Sequence, residues 1–222
     1  MSDSLKPKET PSCPRIRAII VEDQGMVRAF FERWLTTMPR FELAASARSG
    51  EEALMLVEAA RPDVVLVDFQ LPGMDGLEFM QAARQVRPQL RALVVSSLVD
   101  ALALTRVREA RVEGYVEKDA TPEILAEALS AVADGRQYFS AKFRETMARE
   151  GAKAESVAKI LSRREQQVLG LVLKRHSNQE IADLMGLSIR TIEFHRANLM
   201  TKLNASNLPD LVAQAKQRGL SV

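Results

Sequence analysis

Asp68 closes the apolar run Val64-Val65-Leu66-Val67 and leads straight into Phe69-Gln70-Leu71-Pro72-Gly73-Met74-Asp75-Gly76. A carboxylate at the end of an apolar strand, facing a Pro/Gly turn, is badly placed for packing and well placed for chemistry. Ile16 to Val21 end in the same way, on Glu22-Asp23. Two such strand ends can bring three carboxylates together. Hard oxygen ligands of this kind suit Mg²⁺, with the backbone carbonyl of Gln70 as a further ligand and water completing an octahedron. Clustered carboxylates are costly unless a cation binds or a pKa rises. A cation would also neutralise charge that repels a phosphoryl donor, so the pattern points to phosphoryl transfer onto Asp68. Lys118 and Ser96 each close another apolar strand. The first can hold a phosphoryl oxygen as a point charge, and the second offers it a hydroxyl.

These side chains converge only if the strands lie side by side in one direction. Strand patterns over 16–21, 41–46, 63–68, 91–96 and 113–117 alternate with amphipathic stretches near 25–38, 49–60, 75–87, 100–111 and 121–133. Ser49-Gly50-Glu51-Glu52 and Thr121-Pro122-Glu123 are good helix starts, with a capping hydroxyl and early acids. Five strand-helix repeats with right-handed crossovers predict a doubly wound, five-stranded parallel sheet. The site of such a sheet lies beyond the carboxyl ends of its strands, where Glu22, Asp23, Asp68, Ser96 and Lys118 all fall.

The strand pattern stops after Asp134-Gly135. Residues 136–155 read as a polar, partly helical linker, expected to attach flexibly. Beyond Leu161 the pattern is helical over about 162–174, 178–185, 188–203 and 207–219, with Ser162, Ser177, Ser188 and Ser206 near the four starts. Gly186 suits a left-handed stop, and Gly186-Leu187 a helix-turn-helix connection. The expected organisation is therefore a disordered tail over 1–14, an α/β domain over 15–135, a linker over 136–155 and an all-α four-helix domain over 156–222.

Charge separates the two halves. Residues 1–140 hold 17 Lys/Arg against 21 Asp/Glu, whereas residues 156–222 hold 10 against 5, so the basic half is the one suited to a polyanion. In the third helix, Ile192, His195, Leu199 and Leu203 share one face, with His195 read as a packed histidine. Arg190, Phe194, Ala197 and Thr201 lie opposite, with Glu193 beside them. Phe194 on a polar face suits a thymine methyl in the major groove, and Glu193 a cytosine amino group. Arg190, Arg196 and Lys202 suit phosphates, while Ser177 and Asn178 open the preceding helix where it can clamp the backbone. The single cysteine, Cys13, excludes a disulfide framework and fits a reducing cytoplasm. No secretory h-region opens the chain, and no stretch is long enough to span a membrane, so no membrane partner is expected.

The segments Ile19-Ile20-Val21-Glu22-Asp23, Val67-Asp68 through Met74-Asp75-Gly76, Val94-Val95-Ser96 and Gly114-Tyr115-Val116-Glu117-Lys118-Asp119-Ala120 resemble a flavodoxin-like receiver domain of two-component signalling. The second half is similar to the LuxR-type helix-turn-helix domain of NarL/FixJ regulators. Leu161-Ser162-Arg163-Arg164-Glu165, Ser177-Asn178-Gln179-Glu180-Ile181-Ala182 and Arg190 through Leu199 carry that likeness. The resemblance implies Asp68 as phospho-acceptor, with Glu22 and Asp23 beside it at the metal. It also implies Ser96 as switch hydroxyl, Lys118 as phosphate-binding lysine and Tyr115 as the aromatic that follows Ser96. By the same analogy Glu193, Phe194 and Ala197 face bases, and Thr191 belongs to the DNA surface. Departures are small: Glu22 replaces a commoner Asp, Ser96 a commoner Thr, and Gln70 occupies a position that affects phosphate lifetime.

The expected function is a transcription regulator, not an enzyme beyond assisting its own phosphorylation and dephosphorylation. A histidine kinase would modify Asp68. Changes in the fourth helix, fifth strand and fifth helix would then drive homodimerisation and expose the third helix of the second domain to double-stranded DNA. A hydrolase of the aspartyl-phosphate type is the rival enzyme reading, but it needs an acid two positions after the nucleophile, where Gln70 stands. A protein-binding adaptor with a vestigial pocket is the other rival, and intact Lys118 and Ser96 speak against it.

Overall fold

The computed structural model describes residues 15–97, 101–158 and 160–218; the expected tail over 1–14 lies outside the described residues, as does Gly219 at the end of the last expected helix. Strands β1 (Ile16–Val21), β2 (Phe41–Ala47), β3 (Val64–Asp68), β4 (Arg91–Ser96) and β5 (Gly114–Glu117) alternate with α1 (Gly25–Thr36), α2 (Gly50–Ala60), α3 (Gly76–Val86), α4 (Ala101–Glu109) and α5 (Pro122–Ala133). The sheet is parallel throughout, in the order β2-β1-β3-β4-β5-β6. Every residue of β3 is buried, as a central strand covered on both faces requires. One apolar cluster lies under α2, α3 and α4 around Phe79, Leu104 and Tyr115; the other lies under α1 and α5 around Trp34, Leu35 and Leu129.

The sixth strand, β6 (Tyr138–Phe139), corrects the expectation of five. Its two residues pair in parallel with Gly114 and Tyr115 of β5, too short a run to show a period in sequence. The segment read as a flexible linker continues into an ordered helix, α6 (Ala141–Ala158). Ser140 starts it: its hydroxyl accepts from Phe143 N at 3.0 Å and donates to Glu117 at 2.8 Å. Phe143 then packs against Tyr115, ring centroids 5.3 Å apart, and α6 lies along α4.

Four helices follow: α7 (Arg163–Leu173), α8 (Asn178–Met185), α9 (Ile189–Leu203) and α10 (Leu208–Gln217). Ser162 with Glu165 and Ser177 with Glu180 form reciprocal capping boxes, and Ser188 caps α9. At α10 the cap is Asn207, whose side chain accepts from Asp210 N at 2.9 Å; Ser206, expected there, instead binds the Asp210 carboxylate. Gly186 ends α8 at φ +62°, the left-handed stop that its sequence position implies. Val168, Leu169, Ile181, Ile192, Leu199, Leu203 and Leu211 make this domain's own core.

Candidate functional site

The five sheet-rim residues meet. Glu22 and Asp68 are buried, and Asp23 is exposed at the mouth; carboxylate oxygens of all three lie within 4.8 Å of one another. Among the described residues this is the one acidic or His/Cys group gathered closely enough to hold a metal ion. Lys118 extends over them from the end of β5, its Nζ 2.8 Å from Asp68 Oδ2 and 2.8 Å from Glu22 Oε2. Parallel pairing explains the convergence: Asp68 stands beside Val95 of β4, and Lys118 N donates to the Ser96 carbonyl at 3.0 Å. Ser96 is itself fully buried.

The β3–α3 loop wraps tightly around Asp68. Gln70 N donates to Asp68 Oδ1 at 3.0 Å, and Gly76 N donates to the Phe69 carbonyl at 3.2 Å. A Cβ at Gly76 would lie 2.1 Å from the Asp68 carbonyl oxygen, so no side chain is tolerated there. Asp75 starts α3, its Oδ1 accepting from Leu77 N and Glu78 N while Glu78 reaches back to Asp75 N.

Burial sets the electrostatics. Desolvation, reinforced by the neighbouring Asp68, pushes Glu22 up to about 7, against the pull of Lys118. Burial raises Asp68 as well, with Lys118 opposing it. Lys118 is raised despite its own burial, because two carboxylates hold its proton. With every group ionised, three carboxylates and one ammonium leave two negative charges, so the donor set fits a hard divalent cation.

Tyr115, the expected switch aromatic, is wholly inside and held by Phe143 of α6. The α4–β5 surface expected to rearrange is therefore covered by the chain's own β6 and α6. In the helical domain, Arg190, Glu193, Phe194 and Ala197 are exposed, with Phe194 at 63%. In this structure α9 presents to solvent the face expected to read DNA. Thr191 bonds the Ser188 hydroxyl, Ser177 caps α8, and Arg196 donates to Asn178, joining the start of α8 to α9. Lys202 Nζ sits 2.7 Å from the buried Glu165 carboxylate. His195 is half-buried, with Phe194 5.8 Å away, rather than packed within the stripe.

Sequence reasoning missed one network entirely. Arg106, buried on α4, lies over the Phe69 ring at 5.0 Å and pairs with Asp75 Oδ2, the same oxygen that accepts from Gln167 of α7. Nearby, Arg163 reaches Gln81, and Arg164 reaches the Gly73 carbonyl and Glu78. The two domains are thereby joined beside Asp68 and its loop. Gln167 and Asp75 stand 92 positions apart, beyond any local pattern.

Known proteins match this architecture. The family described as the response regulator receiver domain matches residues 18–130, and the luxR family of bacterial regulatory proteins matches 159–215. The response regulator protein VraR of Staphylococcus aureus is 28% identical over 205 residues, covering 92% of this chain and 98% of its own. A LuxR-family two-component response regulator from Aurantimonas is 29% identical, with TM-score 0.59, over 63% of this chain and 99% of its own. RcsB of Salmonella enterica serovar Typhimurium, solved on promoter DNA with the phosphomimetic BeF₃⁻, has the same fold at TM-score 0.64 and 21% identity, over 91% of this chain and 99% of its own. Among the described residues, no helix is long and apolar enough to cross a membrane.

Proposed function

Because the chain belongs to the response regulators that join a receiver domain to a LuxR-type DNA-binding domain, we propose that a histidine kinase phosphorylates Asp68 and that the modified chain dimerises and binds specific DNA. The carrying observation is the ammonium of Lys118, 2.8 Å from both Asp68 and Glu22, above a desolvated acidic cluster. An Asp68 oxygen attacks phosphorus as the bond to the donor imidazole nitrogen breaks. Lys118 exchanges its carboxylate contact for a phosphoryl oxygen, and Ser96 stands one strand away to bind another. Glu22, Asp23, Asp68 and the Gln70 carbonyl would hold Mg²⁺, which supplies neutralisation of the charge gathered on the transferring group.

On the DNA side, Glu193, Phe194 and Ala197 read base edges in the major groove. Arg190 and Thr191 at the start of α9, Arg196 within it, and Ser177 and Asn178 at the start of α8 position the backbone. RcsB supports this side of the reading, because it was solved on promoter DNA with a phosphomimetic present. The lone cysteine supports placing the chain in the cytoplasm, acting there as a regulator whose only chemistry is its own phosphoryl gain and loss. Asp68→Asn tests the proposal. It should abolish labelling by a histidine phosphodonor and leave DNA affinity independent of that donor; undiminished labelling would remove Asp68 from the mechanism.

A further inference from the structure

Arg28 stands in the first turn of α1, where helix electrostatics disfavour a cation. That turn also lacks an acid, and its cap residue, Gln24, makes no side-chain bond to it. The start of α1 serves the acidic cluster instead. Gln24 N donates to Glu22 Oε1 at 3.1 Å. The half-buried Arg28 side chain folds back over the turn, its NH2 3.9 Å from where a Cβ on Gly25 would lie. Its NH1 donates to the Glu22 carbonyl at 2.7 Å and to the Asp23 carbonyl at 3.2 Å. One nitrogen thus grips two consecutive peptide units whose side chains both belong to the cluster.

The two acids are held differently. Glu22 N donates to the Ala47 carbonyl at 3.0 Å, and its carboxylate accepts from Gln24 N and Lys118. Asp23 is exposed, and no described residue donates to its carboxylate. Its place within 4.8 Å of Glu22 and Asp68 therefore rests on the main chain alone. The side chain that holds that main chain is Arg28.

We propose that Arg28 is a positioning residue for the divalent cation: by clamping the β1–α1 turn it aims the Asp23 carboxylate into the cluster. This rests on the reading of Glu22, Asp23 and Asp68 as the Mg²⁺ site that serves phosphoryl transfer. A ligand already in place binds a metal more tightly than one that must be ordered as the metal arrives. Charge pulls the other way. Arg28 is a cation beside the site, so repulsion alone makes its removal strengthen the binding of a second cation. A simple staple between α1 and β1 would alter folded stability and leave cation affinity unchanged. The three roles differ in sign, and only the clamp predicts weaker binding.

Calorimetric titration of the full chain with Mg²⁺ alone reads that sign. Arg28→Met, which keeps an unbranched side chain and removes the donors, should raise the Mg²⁺ dissociation constant about tenfold or more. With Asp23→Asn already in place, the same substitution should change it by less than about twofold, because the carboxylate through which Arg28 acts is gone. Affinity unchanged or increased by Arg28→Met, or an equal loss in both backgrounds, overturns the proposal. Where circular dichroism shows Arg28→Met unfolded, Arg28→Gln takes its place against the same outcomes. Labelling with phosphoramidate keeps the acceptor reading separate. Arg28→Met should need more Mg²⁺ for half-maximal labelling and reach the unsubstituted rate at saturation; a rate that stays depressed there contradicts a role confined to the cation. An unsubstituted chain that takes no label at saturating Mg²⁺ removes the acceptor reading itself, whatever the calorimetry shows.

Discussion

Charged side chains sit in opposite surroundings in the two halves of the molecule. At the sheet rim Glu22 and Asp68 are buried, face a single ammonium, and have their proton affinities raised by desolvation. Along α9, Arg190 and Glu193 are exposed on the side away from the buried Ile192, Leu199 and Leu203. The contrast follows from the two tasks. Transferring a phosphoryl group needs few, fixed groups in a poorly solvated pocket, where a charge acts strongly. Reading DNA needs groups that are solvated until the duplex arrives, on a helix whose stability comes from its other face. In the receiver, function and fold share residues; in the helical domain they lie on opposite sides of one helix.

The largest break in this comparison comes from the helical core. Leu199→Ala, at a fully buried site, should cost about 2–5 kcal/mol. Thermal unfolding followed by circular dichroism should show the helical transition falling while the receiver transition stays. A joint shift would mean that the two domains melt as one unit. Phe194→Ala should behave oppositely. It should lose about 1–3 kcal/mol of discrimination at one base pair, with folded stability changed by less than about 0.5 kcal/mol, as is usual for exposed positions. Binding titrations over single-base variants of a selected site, paired with melts, would separate the two effects.

Acid sharpens the receiver side. Glu22 folds with its pKa raised from 4.5 to about 7, so the folded chain holds that proton more tightly than the unfolded chain. Its contribution to stability is therefore full below 4.5 and is lost as pH rises through about 7. Mg²⁺ competes for the ionised form, so its affinity should drop as pH falls below about 7, approaching tenfold per unit for one displaced proton. Titrating Mg²⁺ at several pH values checks this, and a flat profile would contradict the burial of Glu22. The smallest effect belongs to Lys202. Lys202→Ala should leave the salt slope of DNA binding unchanged, because its ammonium is held by Glu165; a slope reduced by about 1 would return it to a phosphate.

The same contrast explains what could be read from the sequence. Strand-end acids are legible because Val64 to Val67 and Ile16 to Val21 are apolar runs that stop on carboxylates, and parallel pairing leaves those ends one place to meet. Capping serines were legible for α7, α8 and α9, whereas Asn207 displaced Ser206 through a shift of one residue. The strand β6 and the seating of α6 were not legible. Tyr138 and Phe139 are too few to show alternation, and Phe143 has meaning only against Tyr115. Asp75 stood inside a recognised motif, yet its bonds to Arg106 and Gln167 span 31 and 92 positions. Local patterns report elements and their ends, while contacts between elements wait for the fold.

If Asp68 is the phospho-acceptor, no other carboxylate of the cluster carries the phosphoryl group. Treating the full chain with isotopically labelled phosphoramidate and Mg²⁺, then locating the label by peptide mapping, tests it most directly. An acid-stable, base-labile label should be confined to the peptide containing Asp68 and should not form when Mg²⁺ is chelated beforehand. Label on Glu22, Asp23 or a histidine, with Asp68 unmodified, would contradict it.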